Sequence, residues 1–297
     1  MMPNSPTYSV VVPTHNRRSQ LFQCLEALQV LDYPADLYEV IVVNDGGERL
    51  TRMPPKNNRG VPINFMDTEK GGPAAARNIG AMQSHGEYVA FVDDDCCPAP
   101  GWLTAFSALL DENPRYLVGG KTLNGLPHND CATASQWVID FVFAYYERKG
   151  NGRFFTSNNI ALKKELFQEI GGFSELFTLA AAEDRDLCDR WTFRGHPMIF
   201  SPEAVVHHYH AMDVRRFIRK HFNYGCGARI YHRERERRGQ VPIRVEPLSF
   251  YLKLMALPYA RYPLSRAIRL SWLMVISQVA NAAGYYYERL VGSGKVV

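Results

Sequence analysis

Hydrophobic and polar positions alternate along this chain in two registers. Tyr8-Ser9-Val10-Val11-Val12 is a β-branched run closed by Pro13, which predicts a strand buried on both faces. After the polar stretch Thr14-His15-Asn16-Arg17-Arg18, Leu21, Leu25 and Leu28 recur at helical spacing, with Ser19 as the expected N-cap. Glu39-Val40-Ile41-Val42-Val43 repeats the strand pattern and ends in Asn44-Asp45-Gly46-Gly47. A strand, helix and strand in so short a span predict parallel neighbours joined by a right-handed crossover. Pro62 to Met66 is a third candidate strand. Gly71-Gly72-Pro73 opens a helix from Ala74 to about Ser84, and Tyr88 to Val92 is a fourth strand running into Asp93-Asp94-Asp95. The alternation predicts an α/β fold: a mostly parallel sheet with helices on both faces.

Beyond Pro98 the pattern loosens. A helix is expected over Trp102–Leu110 and a strand over Tyr116–Gly120, followed by an irregular stretch to about Arg153. Strand Asn158–Leu162, helix Lys164–Ile170, helix Glu183–Phe193 and a short strand pair around Ile199 and Val205-Val206 come next. From Val214 the chain reads as helical, divided by Pro242, Pro247, Pro258 and Pro263. No internal repeat is visible.

Charge sharpens this division. The net charge of the 297 residues is +4, yet from Ala211 onward there are 16 basic and 5 acidic residues. The tail is basic and the body acidic, which points the tail toward an anionic surface. The alternative is a solvated helical face. Six cysteines show neither CxxC pairs nor zinc-finger spacing, so reduced thiols in the cytoplasm are expected. The N-terminal Met1–Pro6 segment lacks the marks of a signal peptide, and no apolar run is long enough to span a bilayer.

In an open α/β sheet, ligands bind beyond the C-terminal ends of the strands. Four features fall at such ends: Pro13 to Arg17, Asp45, the Gly71-Gly72 loop with Arg77 in the helix behind it, and Asp93-Asp94-Asp95. Three adjacent carboxylates repel one another, and a divalent cation relieves that cost. Mn²⁺ or Mg²⁺ accepts one or two carboxylates together with phosphate oxygens. Alternation along an extended segment lets Asp93 and Asp95 share a side while Asp94 faces away. The competing explanation makes Asp95 the N-cap of the next helix. Arg77 near a helix N-terminus suits phosphate, and Asp45 suits a nucleoside. Glu183-Asp184-Arg185-Asp186 at a helix start supplies either dipole-stabilising carboxylates or a general base. A histidine of the His207, His208 and His210 cluster can complete a cation site.

Taken in order, Val10 to Arg17, Asn44-Asp45-Gly46, Gly72 to Gly80 and Phe91 to Asp95 resemble family-2 glycosyltransferases of the GT-A fold. Asn159 to Lys164, Gly171-Gly172-Phe173, Glu183 to Arg190 and Pro202 to His208 resemble the acceptor half of that family. The likeness covers about residues 7–240. It implies a nucleotide-sugar-binding half at 1–122, an acceptor-binding half of the same GT-A domain at 123–212, and a helical extension at 213–297. It further implies an inverting transfer from a nucleotide diphosphate sugar to a hydroxyl on a glycan, glycolipid or lipid-linked acceptor. By that resemblance Pro13, Thr14, Asn16, Arg17, Asp45, Arg77, Asp93 and Asp94 bind the donor, Asp93 at the ribose. Asp95 and His208 bind Mn²⁺ or Mg²⁺, and Asp184 is the base, with Glu183 and Asp186 as alternatives. One departure stands out: the family usually carries two acids where this chain has Asn44-Asp45.

Two other functions compete. A non-catalytic sugar-nucleotide-binding subunit is disfavoured by the full set of acids. A nucleotidyltransferase is expected to carry a Gly-rich basic loop after the first strand, and Pro13 to Arg17 contains no glycine. The absence of GxGxxG there argues against NAD or flavin. In the tail, Ile268 to Ala283 has the character of an interfacial helix, which makes peripheral contact with the inner face of the membrane an expectation. Packing on the catalytic domain or in a homodimer is the alternative, and no nucleic acid is expected.

Overall fold

The computed structural model describes residues 7–49, 59–148, 154–241 and 245–292. Pro242, Arg153 and the Met1–Pro6 segment lie outside these. In chain order the elements are β1 (Tyr8–Thr14), α1 (Arg18–Leu28), β2 (Tyr38–Asp45), β3 (Ile63–Thr68), α2 (Pro73–Met82), β4 (Tyr88–Phe91), β5 (Cys96–Pro98) and α3 (Trp102–Glu112). There follow β6 (Leu117–Asn124), α4 (Asp130–Arg148), β7 (Ile160–Lys163), α5 (Lys164–Glu169), α6 (Glu183–Phe193) and β8 (Met198–His208). The chain closes with α7 (Val214–Arg237), α8 (Leu248–Ala256), a 3₁₀ turn (Leu257–Ala260) and α9 (Leu264–Val291).

These elements fall into two compact units. The first comprises residues to Leu123 with Phe154–Thr178 and Glu183–Tyr209. It holds one eight-stranded sheet in the order β3-β2-β1-β4-β7-β6-β8-β5. β1 pairs in parallel with β2 and β4, and β2 with β3. β7 then runs antiparallel to β4 and β6, and β5 antiparallel to β8. Val10, Val11 and Val12 are wholly buried, as a strand covered on both faces requires. β1 continues through Pro13 rather than stopping there. β4 ends at Phe91 opposite Val11, so no ladder on that side needs the N–H that proline lacks.

Helix α1 buries Leu21, Cys24, Leu25 and Leu28, the one-faced pattern of a helix on a sheet. Each leucine so buried contributes about 1.5–3 kcal/mol. Arg17, not Ser19, occupies the N-cap position, and no side chain caps the helix. In α2, Gly80 lets the helix approach the sheet closely; a Cβ there would lie 2.4 Å from Val11 Cγ1. Residues 198–208 form one continuous strand instead of the expected pair.

The second unit comprises Asn124–Arg153, Leu179–Ala182 and His210–Val297. The stretch expected to be irregular contains the 19-residue helix α4. Its buried positions, Cys131 to Gln136, are small or polar and give no apolar stripe. Asp130 at its start is ion-paired with Arg266 and Arg269 of α9, at 2.9 and 3.0 Å. Asp213 caps α7 by accepting from the Arg216 amide. Helices α7 and α9 cross closely through glycines: a Cβ on Gly225 or Gly284 would stand 1.9 Å from the carbonyl of Asn281 or Phe222. Among the described residues no helix is long and apolar enough to cross a membrane.

Candidate active site

The parallel register sets Thr14 beside Asn44 and Val11 beside Phe91. The loops after β1, β2 and β4 therefore leave the sheet along one edge. In the first loop Asn16 adopts φ 55°, a left-handed conformation that asparagine tolerates better than most residues. Its side chain accepts from the Glu48 amide at 2.8 Å, and His15 Nδ1 lies 2.7 Å from the Asp45 carbonyl. The loop is thereby bound to the end of β2.

Asn44, where the family usually has an acid, is 4% exposed. Its amide nitrogen donates to the carbonyls of Gly47 and Glu48 and to Asp67 Oδ1, the last at 2.7 Å. A carboxylate has no proton for any of these, so this departure is dictated by the packing of the turn. The Asp45 carboxylate is engaged with the loop opposite it. It accepts from the backbone amides of Gly71 and Gly72, at 2.6 and 3.0 Å, and so ties the glycine loop to β2. Gly72 has φ 89°, and a Cβ would stand 2.5 Å from the Thr178 carbonyl.

The three aspartates diverge. Asp94 is turned into the protein without parting from Asp95: it is 3% exposed and accepts from Thr14 Oγ1 at 2.7 Å and, at 3.2 Å, from the Arg17 Nη1 that Asp95 also meets. Burial, outweighing the Arg17 charge, pushes its carboxyl up to about 6. Asp94 thus anchors the first loop from below. Asp95 receives Arg17 Nη1 at 3.0 Å on one oxygen and faces His208 Nε2 at 3.3 Å with the other. The N-cap of α3 is Gly101, which removes the capping explanation for Asp95. Cys96 pairs with His208 and Cys97 with His207 across β5 and β8, and it is His208 whose Nε2 stands 3.3 Å from Asp95, which lies in the turn before β5.

Among the described residues, Asp95, Cys96 and His208 are the one such trio whose ligand atoms all lie within 4.8 Å of one another. The Cys96 sulfur is a soft donor, and hard cations such as Mn²⁺ and Mg²⁺ favour oxygen and imidazole over thiolate. What remains, one carboxylate and one imidazole beside an open edge, fits Mn²⁺ or Mg²⁺ completing its shell with phosphate and water oxygens. The β5–β8 register that assembles the trio could not be read from the sequence.

Arg77 departs most from expectation. It is 2% exposed, and its guanidinium donates to Asp93 Oδ1 at 2.6 Å and to Glu183 Oε1 at 3.1 Å. Phe173 covers it, with the ring centroid 5.4 Å away. The guanidinium links the acid run to the start of α6. A buried guanidinium is stable only with such counter-charges.

The three candidate bases separate in the same way. Asp186 is 1% exposed and held at 2.7 Å by Arg190, which also donates to the carbonyls of Ile170 and Gly172. Asp186 is thus engaged within its own helix and with the segment around Gly172. Glu183 is buried on Arg77; burial, and next the Asp184 charge, push its carboxyl up to about 7. Asp184 is half-buried, and its Oδ1 accepts from the Arg185 amide at 2.8 Å. Burial raises its pKa also.

Loops at the C-terminal ends of parallel strands, an acid–histidine pair and a second acid helix make this the place where an α/β transferase would hold its ligand. The family model for glycosyl transferase family 2 matches residues 9–171, more than half of the chain, and the chain belongs to that family. Glycosyltransferase AglE of Haloferax volcanii is 26% identical over 226 residues, covering 75% of this chain and 73% of that protein. The pre-mycofactocin glycosyltransferase of Mycobacterium tuberculosis is 27% identical over 236 residues, 76% of this chain; the chain spans about half (48%) of that relative. Mannosyltransferase PcManGT from Pyrobaculum calidifontis, solved with GDP-Man and Mn²⁺, superimposes with a TM-score of 0.66 at 18% identity. That match covers 97% of this chain and 89% of the other and is a likeness of GT-A fold.

Proposed function

We propose that this chain transfers a glycosyl unit, with inversion, from a nucleotide diphosphate sugar to an acceptor hydroxyl. Asp95 and His208 would hold Mn²⁺ or Mg²⁺ at the donor end of the site. The observation that carries the reading is the 3.3 Å approach of Asp95 to His208 at the strand-end edge. When bound, the cation supplies charge neutralisation for the leaving diphosphate. Pro13, Thr14, Asn16 and Arg17 form the donor floor, and Arg17, ion-paired with Asp94 and Asp95 but 45% exposed in its side chain, would turn to the phosphates where a cation takes its place at Asp95. Asp93, with an exposed flank, receives the ribose. Asp45 and Asp94 act beneath this floor, holding its loops. Asp184 takes the proton from the acceptor hydroxyl as the new bond forms, and Arg77 fixes Glu183 and Asp93 around it. Six free thiols support a cytoplasmic setting. A glycan, glycolipid or lipid-linked hydroxyl is the acceptor class.

The test follows nucleoside diphosphate release across a panel of donors with Mn²⁺ or Mg²⁺. Asp95→Ala and His208→Ala should lower turnover at least a hundredfold and raise the cation concentration needed. Asp184→Asn should abolish transfer while donor binding survives. Full turnover in chelator, or in the Asp95→Ala protein, defeats the metal assignment; release of pyrophosphate defeats the reaction class.

A further inference from the structure

We infer that α9 rests lengthwise on an anionic lipid surface through its outward face. The inference stands on the helical unit alone and holds whatever sugar is transferred. A surface helix ordinarily turns polar residues to solvent; α9 does the reverse. At 100° per residue, Leu264, Ile268, Trp272, Val279, Tyr286 and Leu290 share one sector about 80° wide. All are exposed: Leu264 by 67%, Trp272 and Val279 by 64%, Leu290 by 82%. The side packed into the protein, at Leu270, Met274, Ser277 and Gly284, lies opposite. The apolar stripe extends for most of a helix roughly 42 Å long, and no charged residue interrupts it.

Charge decides the occupant. From Pro247 to Gly292 the basic residues are Lys253, Arg261, Arg266, Arg269 and Arg289, and the one acid, Glu288, is buried. At the same 100° per residue Arg289 stands about 20° outside the stripe on one side and Arg269 about 60° outside it on the other, and Arg269 is 61% exposed in its side chain even while it touches Asp130. A second copy applied to the same stripe would set arginine rims against arginine rims with no acid to meet them. Anionic headgroups complement both rims, and the tryptophan and tyrosine suit the boundary between headgroup and acyl chain. The helix is not apolar enough to cross, so it lies in the plane.

Flotation of the full chain with phosphatidylcholine vesicles, with and without phosphatidylglycerol, tests this. The protein should rise only with the anionic vesicles, and less at high salt. The double variant Trp272→Asp/Val279→Asp should lose at least tenfold in partitioning. Arg261→Ala/Arg289→Ala should lose about fivefold per arginine. Both should keep the parent's circular dichroism and nucleoside diphosphate release. A chain that stays below the vesicles at low salt overturns the inference, as does a Trp272→Asp/Val279→Asp protein that floats like the parent. A dimer in solution that this variant dissolves, without vesicle binding by the parent, assigns the stripe to a second copy and overturns it too.

Discussion

Replacing Arg77 by methionine removes a buried cation that serves two carboxylates at once, Asp93 at 2.6 Å and Glu183 at 3.1 Å. The volume is roughly kept, so the loss is electrostatic. Glu183, 3% exposed, is then left without its counter-charge, and breaking such a pair costs about 3–5 kcal/mol. In the parent Glu183 already sits near 7, raised chiefly by burial; without Arg77 it moves higher. Below about pH 7 the acid is protonated in both proteins, and the variant's deficit is smallest. As pH rises above 7 the parent ionises Glu183 against Arg77 while the variant cannot, so the deficit grows until the variant's own pKa is passed. Thermal unfolding at pH 6 and pH 9 reads this, with a fall on the order of 10 °C at pH 9. Arg77→Met/Glu183→Gln should recover a large part of that fall. In turnover, a positioning role lowers kcat and shifts its acidic limb; a direct phosphate contact raises the donor KM instead. A deficit under about 1 kcal/mol, or one that does not change with pH, refutes the reasoning.

Two further outcomes are expected. His221 is buried between Phe217 and Tyr224, its Nε2 without a partner, and burial holds its pKa near 3. The unfolded chain takes up that proton from about pH 6.5 downward, so stability present at neutral pH falls by on the order of 4 kcal/mol as pH drops toward 3. His221→Phe should flatten this part of the urea-unfolding profile between pH 6.5 and 4.5; an unchanged profile contradicts it. Asn44→Asp places a carboxylate against Asp67 and two carbonyls and should cost about 1–3 kcal/mol in the same assay. A neutral substitution would mean that the amide network does not hold the turn.

What could be read from the residues alone follows their physics. β1, β2 and β4 were legible because strands buried on both faces are continuous apolar runs. Helix α4 was not, since its buried side is Cys131, Ala132, Thr133, Ala134, Ser135 and Gln136, a sequence with no periodic signal. β5 escaped because Cys96–Pro98 is three residues long and exists only by pairing with β8. Within the site, residue types announced carboxylates and their shared edge but not their partners. That Asp94 and Asp45 face inward, and that Arg77 is spent on Asp93 and Glu183, are facts of tertiary packing. The Asp186–Arg190 pair is an exception: its i,i+4 spacing on a helix was a visible signal that Asp186 was already engaged.

The order of strands in the sheet is not the order in which a ribosome delivers them. β4 pairs with β1 on one side, and its other edge waits for β7. Until residue 163 has been made, the nascent sheet β3-β2-β1-β4 ends in a bare apolar strand with unpaired amides, the kind of edge that recruits a neighbouring chain. β7 covers it, β6 and β8 extend the sheet, and the finished structure closes on β5, only three residues long. A fragment ended at Leu123 leaves the apolar edge Tyr88–Phe91 permanently uncovered and is apt to aggregate on expression; in the whole first unit that edge is paired with β7.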